Sequence, residues 1–178
     1  MGVLQDFVRI PKARIAVLIG PGGKTKKAIE KKTSCRIEID SEEGEIKVTA
    51  KPQNAASFYI ALNMIKAIGR GFSPERAFLL MEHNNGLEIV SITDWVKGEK
   101  ELATKRGRII GKEGRAREEI EQKTDCFIAV QGKTIAIIGE FENLSKAKQA
   151  VEMLLKGARH QKVFEFLNQS KRIGKFEF

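Results

Sequence analysis

The amino-acid sequence is poor in the residues that build metal centres and disulfide frameworks. It contains two cysteines, Cys35 and Cys126, and two histidines, His83 and His160. The histidines have no cysteine or histidine neighbours at metal-ligand spacing, so neither a metal site nor a cofactor is predicted. The cysteines occupy equivalent positions of two similar segments and have no reason to meet. Each is therefore interpreted as a small buried apolar residue.

Long apolar runs are missing as well. No stretch approaches the length of a membrane span, and the first residues lack the apolar core of a signal peptide. These features predict a soluble cytoplasmic protein without a membrane partner.

Acidic residues are outnumbered by basic ones. The 178 residues include 32 Lys and Arg against 23 Asp and Glu, which gives a net charge of +9. Such an excess predicts a polyanionic partner. The acidic side chains show no pairing that would mark an acid/base couple, so no catalytic residue is predicted and the protein is not expected to be an enzyme.

What the sequence does contain is an internal repeat. Two segments match at a constant shift of 91 positions, with identical residues at the pairs Ile19/Ile110, Gly20/Gly111, Gly23/Gly114, Ile29/Ile120, Glu30/Glu121, Lys32/Lys123, Thr33/Thr124, Cys35/Cys126 and Ile37/Ile128. A repeat of this length predicts two duplicated small domains. We expect the first domain at residues 1–72, a helical connector at 73–86, and the second domain with a C-terminal helical extension at 87–178.

Hydrophobic periodicity predicts the same order of elements, β-α-α-β-β-α, in each copy. In the first copy the elements are expected at 3–10, 12–19, 24–32, 35–39, 46–48 and 55–68. In the second they are expected at 87–92, 101–110, 115–123, 127–130, 134–138 and 144–158. The predicted fold class is α+β, with two domains that each contain a three-stranded antiparallel sheet backed by three helices.

Two further segments have helical signals outside the repeat. Ser73 followed by Pro74 is typical of a capped helix start in the connector. The apolar residues Val163, Phe164, Phe166 and Leu167 predict a last helical segment that packs on the second domain, and residues 174–178 are expected to form a tail.

A Gly-x-x-Gly turn between two helices is found in both copies. Glycines allow the backbone to approach a ligand closely, and the helix after the turn directs its first N–H groups at that ligand. A phosphate fits this site. Basic residues beyond each turn add attraction for neighbouring phosphates, and apolar residues before it are expected to form a floor for unpaired bases. The predicted nucleic-acid contacts are Arg14, Ile15, Leu18, Ile19, Gly20, Pro21, Gly22, Gly23, Lys24, Lys26 and Lys27 in the first copy, and Arg106, Arg108, Ile109, Ile110, Gly111, Lys112, Glu113, Gly114, Arg115, Ala116, Arg117 and Ile128 in the second.

These turns, set in this order of elements, resemble type I KH domains, which clamp about four nucleotides of a single strand. More narrowly, the chain resembles the Dim-two family, also called partner of Nob, of small-subunit pre-ribosomal RNA processing factors. The resemblance extends to the segments 70–74, 91–94, 106–114 and 163–164. It implies non-catalytic binding of single-stranded RNA at the 3′ end of small-subunit ribosomal RNA or its precursor. It also implies protein partners in small-subunit maturation or translation initiation.

Two alternatives remain open. One is a KH-bearing subunit of a nuclease or RNA-degrading complex. The other is a scaffold in which one KH domain binds protein. Pro21 favours the second alternative for the first copy, because proline lacks the backbone N–H that Lys112 keeps in the second copy.

Overall fold

The computed structural model describes residues 2–173. It divides the chain into two compact units, one that ends at His83 and one that begins at Asn84. No helix within the described residues combines the length and hydropathy that a membrane crossing requires. The expected tail at 174–178 lies outside the described residues.

The first unit has one three-stranded antiparallel sheet and three principal helices. The elements are β1 (Leu4–Arg9), α1 (Lys12–Ile19), α2 (Lys24–Thr33), β2 (Arg36–Asp40), β3 (Glu45–Ala50) and α3 (Ala55–Gly69). Strand β3 lies between β1 and β2, with Val8 opposite Ile46 and Ile37 opposite Val48. The α+β prediction and the order of elements are confirmed.

Alternation along β3 and helical periodicity along α3 build the core of this unit. Ile46 and Val48 are buried while Lys47 between them is not, because successive strand residues face opposite sides of the sheet. The predicted apolar face of α3 is buried throughout and consists of Phe58, Ala61, Leu62, Ile65 and Ile68.

The chain then forms α4 (Pro74–Ala77) and a 3₁₀ turn at Phe78–Met81. The hydroxyl of Ser73 accepts a hydrogen bond from the backbone N–H of Arg76, which is the cap that the sequence predicts. Ala77 and Leu80 are buried.

The second unit repeats the arrangement and adds a helix. Its elements are β4 (Asn85–Ser91), α5 (Glu99–Ile110), α6 (Arg115–Thr124), β5 (Phe127–Gln131), β6 (Thr134–Glu140), α7 (Phe141–Leu155) and α8 (His160–Ile173). Strand β6 lies between β4 and β5. Val163 and Leu167 of α8, which lie in the predicted last helical segment, are buried in the core of this unit.

Helix α5 begins two residues before the predicted start. Its first hydrogen-bonded turn closes from Leu102 N–H to the carbonyl of Gly98, and the carboxylate of Glu101 accepts the backbone N–H of Lys97 at 2.7 Å. This side chain therefore supports the helix start from within the first turn.

Residues that are identical in the two copies end the second helix of each unit. The hydroxyl of Thr33 donates to the Ile29 carbonyl, and that of Thr124 donates to the Ile120 carbonyl, both at 2.7 Å. The next residue of each copy, Ser34 or Asp125, adopts the left-handed conformation that stops the helix.

A carboxylate of the same helix then fixes the strand that follows. Glu30 Oε1 accepts the N–H of Ile37 at 2.8 Å, and Glu121 Oε1 accepts that of Ile128 at 2.7 Å. The matching glutamates thus serve the fold of each unit.

Both cysteines are buried free thiols, which agrees with their interpretation as apolar residues. Burial raises the pKa of the Cys126 thiol to about 11. This thiol is therefore neutral near pH 7 and a poor nucleophile.

Candidate nucleic-acid interface

The first glycine turn joins α1 to α2 through one turn of 3₁₀ helix. Gly20 has φ 73° and ψ 172°, and a Cβ there would lie 2.9 Å from the backbone nitrogen of Thr25. The N–H of Gly23 closes the turn on the Gly20 carbonyl at 3.1 Å. Glycine is therefore required at position 20 both by the backbone angles and by the closeness of the next helix.

The second turn has nearly the same geometry. Gly111 has φ 74° and ψ 176°, and a Cβ there would lie 2.8 Å from the backbone nitrogen of Ala116. Gly114 N–H bonds to the Gly111 carbonyl at 3.3 Å. The duplicated motif thus forms a duplicated structure.

The middle residues distinguish the two turns. In the first turn Gly22 has φ 58°, which costs glycine little, whereas in the second Glu113 adopts the same left-handed conformation with φ 55°. Glu113 Oε2 forms an ion pair with Arg115 Nη2 at 3.4 Å. Lys112 supplies a cation and a backbone N–H at the position where Pro21 has neither.

Some of the predicted cations are engaged in the fold. Arg14 donates from Nε to the Ile68 carbonyl at 2.8 Å and from Nη2 to the Phe72 carbonyl at 2.7 Å. These bonds satisfy carbonyls at and beyond the end of α3, and partial burial lowers the pKa of the guanidinium. The Arg14 guanidinium therefore has a structural role, and its predicted RNA contact stays a prediction.

Helix α5 contains a similar pair of contacts in the second unit. Lys105 Nζ donates to the Leu155 carbonyl at the end of α7. The Arg108 guanidinium donates to the Ala158 carbonyl, and the Arg108 carbonyl bonds to His160 Nε2 at 2.7 Å. Arg108 therefore holds the segment between α7 and α8, and its predicted RNA contact stays a prediction.

The remaining predicted cations lie around the two turns. Lys24, Lys27 and Lys112 are exposed, Arg106 is half-buried, and Lys26 pairs with Glu30 at 3.4 Å. Arg117 Nη2 lies 3.7 Å from the place that a Cβ on Gly114 would occupy. The buried Nε of Arg117 has no hydrogen-bond partner within residues 2–173.

The predicted apolar contacts differ in their exposure. Ile19 and Ile110 are half-buried and accessible, but Ile15, Leu18, Ile109, Ala116 and Ile128 are core residues with at most 7% of their surface exposed. The reason is helical phase, because Leu18 and Ile109 face inward while the next residue lies about 100° around the helix. The five buried residues therefore pack beneath the surface that a ligand can reach.

A cavity of about 200 Å³ lies beside the second turn, and the sequence did not predict it. Its lining consists of Gly111, Lys112, Arg115, Ala116, Glu119, His160 and Phe164. The sequence did predict that Phe164 packs on the second domain. That pattern does not specify which surface of the domain α8 covers, so the cavity could not be predicted from it.

A larger cavity of about 560 Å³ lies elsewhere in the same unit, and Glu118, Glu121, Asp125 and Phe127 are among its lining residues. Three carboxylates give it the wrong sign for RNA phosphates. The described residues contain no group of three or more His, Cys, Asp or Glu that could hold a metal ion.

The fold and the paired turns define a protein with two KH domains of type I. Residues 5–67 match the KH domain family. Residues 86–172 match the eukaryotic type KH domain, KH domain type I, in its PNO1-type second-domain form.

Similar proteins identify the family to which this chain belongs within the class of KH-domain proteins. A KH domain-containing protein of Methanocaldococcus jannaschii is 40% identical, over 94% of this chain and 74% of that protein. Dim2p of Pyrococcus horikoshii is 45% identical with a TM-score of 0.87, over 93% of this chain and 99% of the other. The chain belongs to the archaeal Dim2/PNO1-like family of KH-domain proteins.

Two further solved structures are similar. One is a complex of a/eIF2alpha, aDim2p and rRNA from Pyrococcus horikoshii, with 44% identity, a TM-score of 0.89 and coverage of 96% and 95%. The other is a protein of unknown function from Aeropyrum pernix, with 33% identity, a TM-score of 0.90 and coverage of 99% and 97%.

Proposed function

We propose that this protein binds single-stranded RNA without catalysing a reaction on it, and that the RNA is the 3′ end of small-subunit ribosomal RNA or its precursor. The observation that carries the proposal is the second turn, where a backbone without side chains at Gly111 and Gly114 meets the cations Lys112, Arg115 and Arg117. The similarity to an archaeal Dim2p found in a complex with rRNA supports the identity of the RNA.

The second turn can hold the sugar-phosphate backbone while the bases lie over an apolar surface. Backbone N–H groups and the positive end of α6 attract phosphate, and Lys112 adds a cation at close range. Ile110 offers accessible apolar surface next to the turn. Because paired bases cannot be splayed onto such a surface, the site selects single strands.

The first turn contributes less to specific binding in this proposal. It has the same backbone shape, but Pro21 lacks an N–H and the Arg14 guanidinium already donates to the carbonyls of Ile68 and Phe72. The segment from Arg9 to Lys32 still contains eight basic residues and only Glu30 as an acid. This charge raises affinity without discriminating bases, since phosphate contacts position a strand and base contacts specify it.

The role that follows is to hold the ribosomal RNA end during maturation and to recruit the factors that act there. The first unit is the candidate surface for a protein partner, because its turn is the poorer RNA site. A protein of this kind works where ribosomal subunits mature, which we place in the cytoplasm. Incubation of the pure protein with labelled RNA and Mg²⁺ tests the absence of catalysis, and cleavage would favour the nuclease alternative.

Salt dependence tests the proposed phosphate contacts. If Z phosphates are neutralised, the logarithm of the binding constant should fall against the logarithm of salt concentration with a slope of about −0.7Z for a single strand. Fluorescence anisotropy with a short oligonucleotide from the 3′ end of small-subunit ribosomal RNA measures this slope. An affinity that stays flat from low to moderate salt would contradict the proposal.

Strand state tests the mode of binding. We expect a duplex of the same sequence to bind at least about tenfold more weakly, because its bases cannot reach the surface beside Ile110. A competition assay compares the two forms. Equal affinities would mean that the protein reads only phosphate charge, which is not KH-type binding.

A further inference from the structure

The second unit has a cavity next to its turn because α8 adds a wall there. His160 and Phe164 of α8 face the turn and the first residues of α6 across about 200 Å³. Their ring centroids are 6.2 Å apart. In the first unit the chain after α3 forms α4 and a 3₁₀ turn instead. The cavity therefore belongs to an addition to the repeated fold.

Several contacts hold α8 in place. Arg108 is bonded to both ends of the short segment between α7 and α8. Its side chain donates to the Ala158 carbonyl, and its own carbonyl bonds to His160 Nε2. Val163 and Leu167 are buried, with at most 1% of their surface exposed. Lys123 of α6 donates to Asn168 at 2.7 Å. The aromatic wall is thus fixed before any ligand arrives, which reduces the entropic cost of binding.

The lining combines aromatic rings with cations. Lys112 and Arg115 lie on the side of the turn, and Phe164 and His160 lie on the side of α8. The carboxylate of Glu119 also faces the cavity, but it pairs with Lys123 at 3.6 Å, and Glu113 pairs with Arg115. Aromatic rings and cations are the combination on which the bases and phosphates of single strands bind.

The size of the cavity limits its occupant. Sites that enclose a whole small molecule measure about 300–1,000 Å³, so this cavity suits one planar group of a longer ligand. Its lining also shares Gly111, Lys112 and Arg115 with the turn at which we propose that RNA binds. A strand held at the turn can therefore reach it without leaving the protein surface.

We propose that the cavity accepts one further nucleotide of the bound strand, adjacent to those held at the turn. Its base lies against Phe164 and His160, and its phosphate lies beside Lys112 or Arg115. The inference rests on the proposed RNA binding, and it extends the site of the second unit by an element outside the repeat.

The experiment compares oligonucleotide length in the complete protein. A four-nucleotide RNA is measured against RNAs extended by one nucleotide at the 5′ end or at the 3′ end. In the unsubstituted protein, one of the extensions should tighten binding about five- to tenfold, near the lower end of the contribution of a stacked base. Phe164→Ala should remove this gain and leave the affinity for the four-nucleotide RNA unchanged.

Phe166→Ala is the matched control. Phe166 is also a half-buried phenylalanine of α8 packed on the core, but it does not line the cavity. It should keep the gain from extension. Phe164→Leu keeps apolar volume without an aromatic face, and it should lose most of the gain even if Phe164→Ala is poorly folded. Melting temperatures of all three variants report on folding.

A direct contact can be located by photo-crosslinking. An RNA with 5-iodouridine at the added position should crosslink to the peptide that contains His160 and Phe164. The same substitution inside the four-nucleotide segment should crosslink elsewhere.

The possible outcomes separate the two proposals. RNA binding without any gain that depends on Phe164, or equal losses for both lengths, would overturn this inference and leave the proposed function standing. Failure of the unsubstituted protein to bind any of these RNAs would overturn both. Protection of Phe164 by a protein partner and not by RNA would assign the cavity to protein recognition and would also overturn the inference.

Discussion

The two units have the same backbone fold and differ in the side chains at their surfaces. The second helix of each unit ends at a threonine, Thr33 or Thr124, whose hydroxyl donates to a carbonyl of the preceding helical turn. In both, a glutamate of that helix fixes the next strand. Most of the identical residues of the repeat thus maintain the fold. Identity between duplicated modules is therefore weak evidence that a residue binds a ligand.

Two of the differences between the units lie at the turn and beside it. Pro21 and Gly22 stand where the second unit has Lys112 and Glu113. The second unit also adds α8 beside its turn. The shared backbone thus carries different donors, charges and neighbouring helices, and the proposed function assigns the main RNA contacts to the second unit.

The largest effect on RNA binding is expected from placing negative charge in the second turn, and the same change in the first turn serves as the comparison. Lys112→Asp combined with Glu113→Asp removes a cation and should weaken sequence-specific RNA binding about ten- to a hundredfold, the range for losing one charged hydrogen bond. Pro21→Asp combined with Gly22→Asp should weaken it only a few-fold. Fluorescence anisotropy with a short single-stranded RNA measures both.

Both double variants keep the outer glycines, so the turns can still form. Circular dichroism and melting temperatures check each fold before binding is compared. If the first-unit variant loses as much specific affinity as the second while both stay folded, the ranking of the two modules is wrong.

Local patterns predicted most of the fold. Alternation along β3, the periodicity of α3 and the cap at Ser73 are short-range signals, and the elements formed where these signals indicated. The glycine turns could also be predicted, because only glycine tolerates the angles and the close helix at Gly20 and Gly111.

Long-range contacts account for what could not be predicted. Arg14 bonds to carbonyls 54 and 58 positions away, and Arg108 of the second unit bonds to a carbonyl 50 positions away. A basic residue near a turn has the same local signature whether it meets phosphate or a helix end. The cavity wall at Phe164 likewise depends on how α8 docks, which helical periodicity does not specify.

A smaller effect is expected from the two side chains that satisfy helix ends. Arg14→Met should lower the free energy of unfolding of the first unit by about 1–3 kcal/mol, because the charged guanidinium of Arg14 makes two hydrogen bonds to backbone carbonyls. Lys105→Met should cost less, since Lys105 makes one bond. Methionine preserves the apolar stem in both.

Hydrogen exchange locates each loss. Arg14→Met should reduce the protection of amides in residues 2–83, and Lys105→Met that of amides in residues 84–173. If Arg14→Met left stability unchanged but weakened RNA binding, its guanidinium would serve RNA after all.

The smallest effect is expected from making the second turn resemble the first. Glu113→Gly removes a carboxylate near the proposed phosphate site and should raise RNA affinity by up to about threefold, since its pair with Arg115 is exposed and worth little. Relief of the left-handed strain, about 1–2 kcal/mol, is opposed by the extra unfolded-state entropy of glycine, about 0.4–1 kcal/mol. The difference between these two effects predicts a stability gain of about 0–1.6 kcal/mol. The reciprocal control is Gly22→Glu, which adds both strain and negative charge to the first turn and should lower its stability and its contribution to binding. Anisotropy and thermal unfolding measure both variants. A loss of affinity in Glu113→Gly would show that this carboxylate accepts a hydrogen bond from the RNA, and the second turn would then recognise bases as well as phosphates.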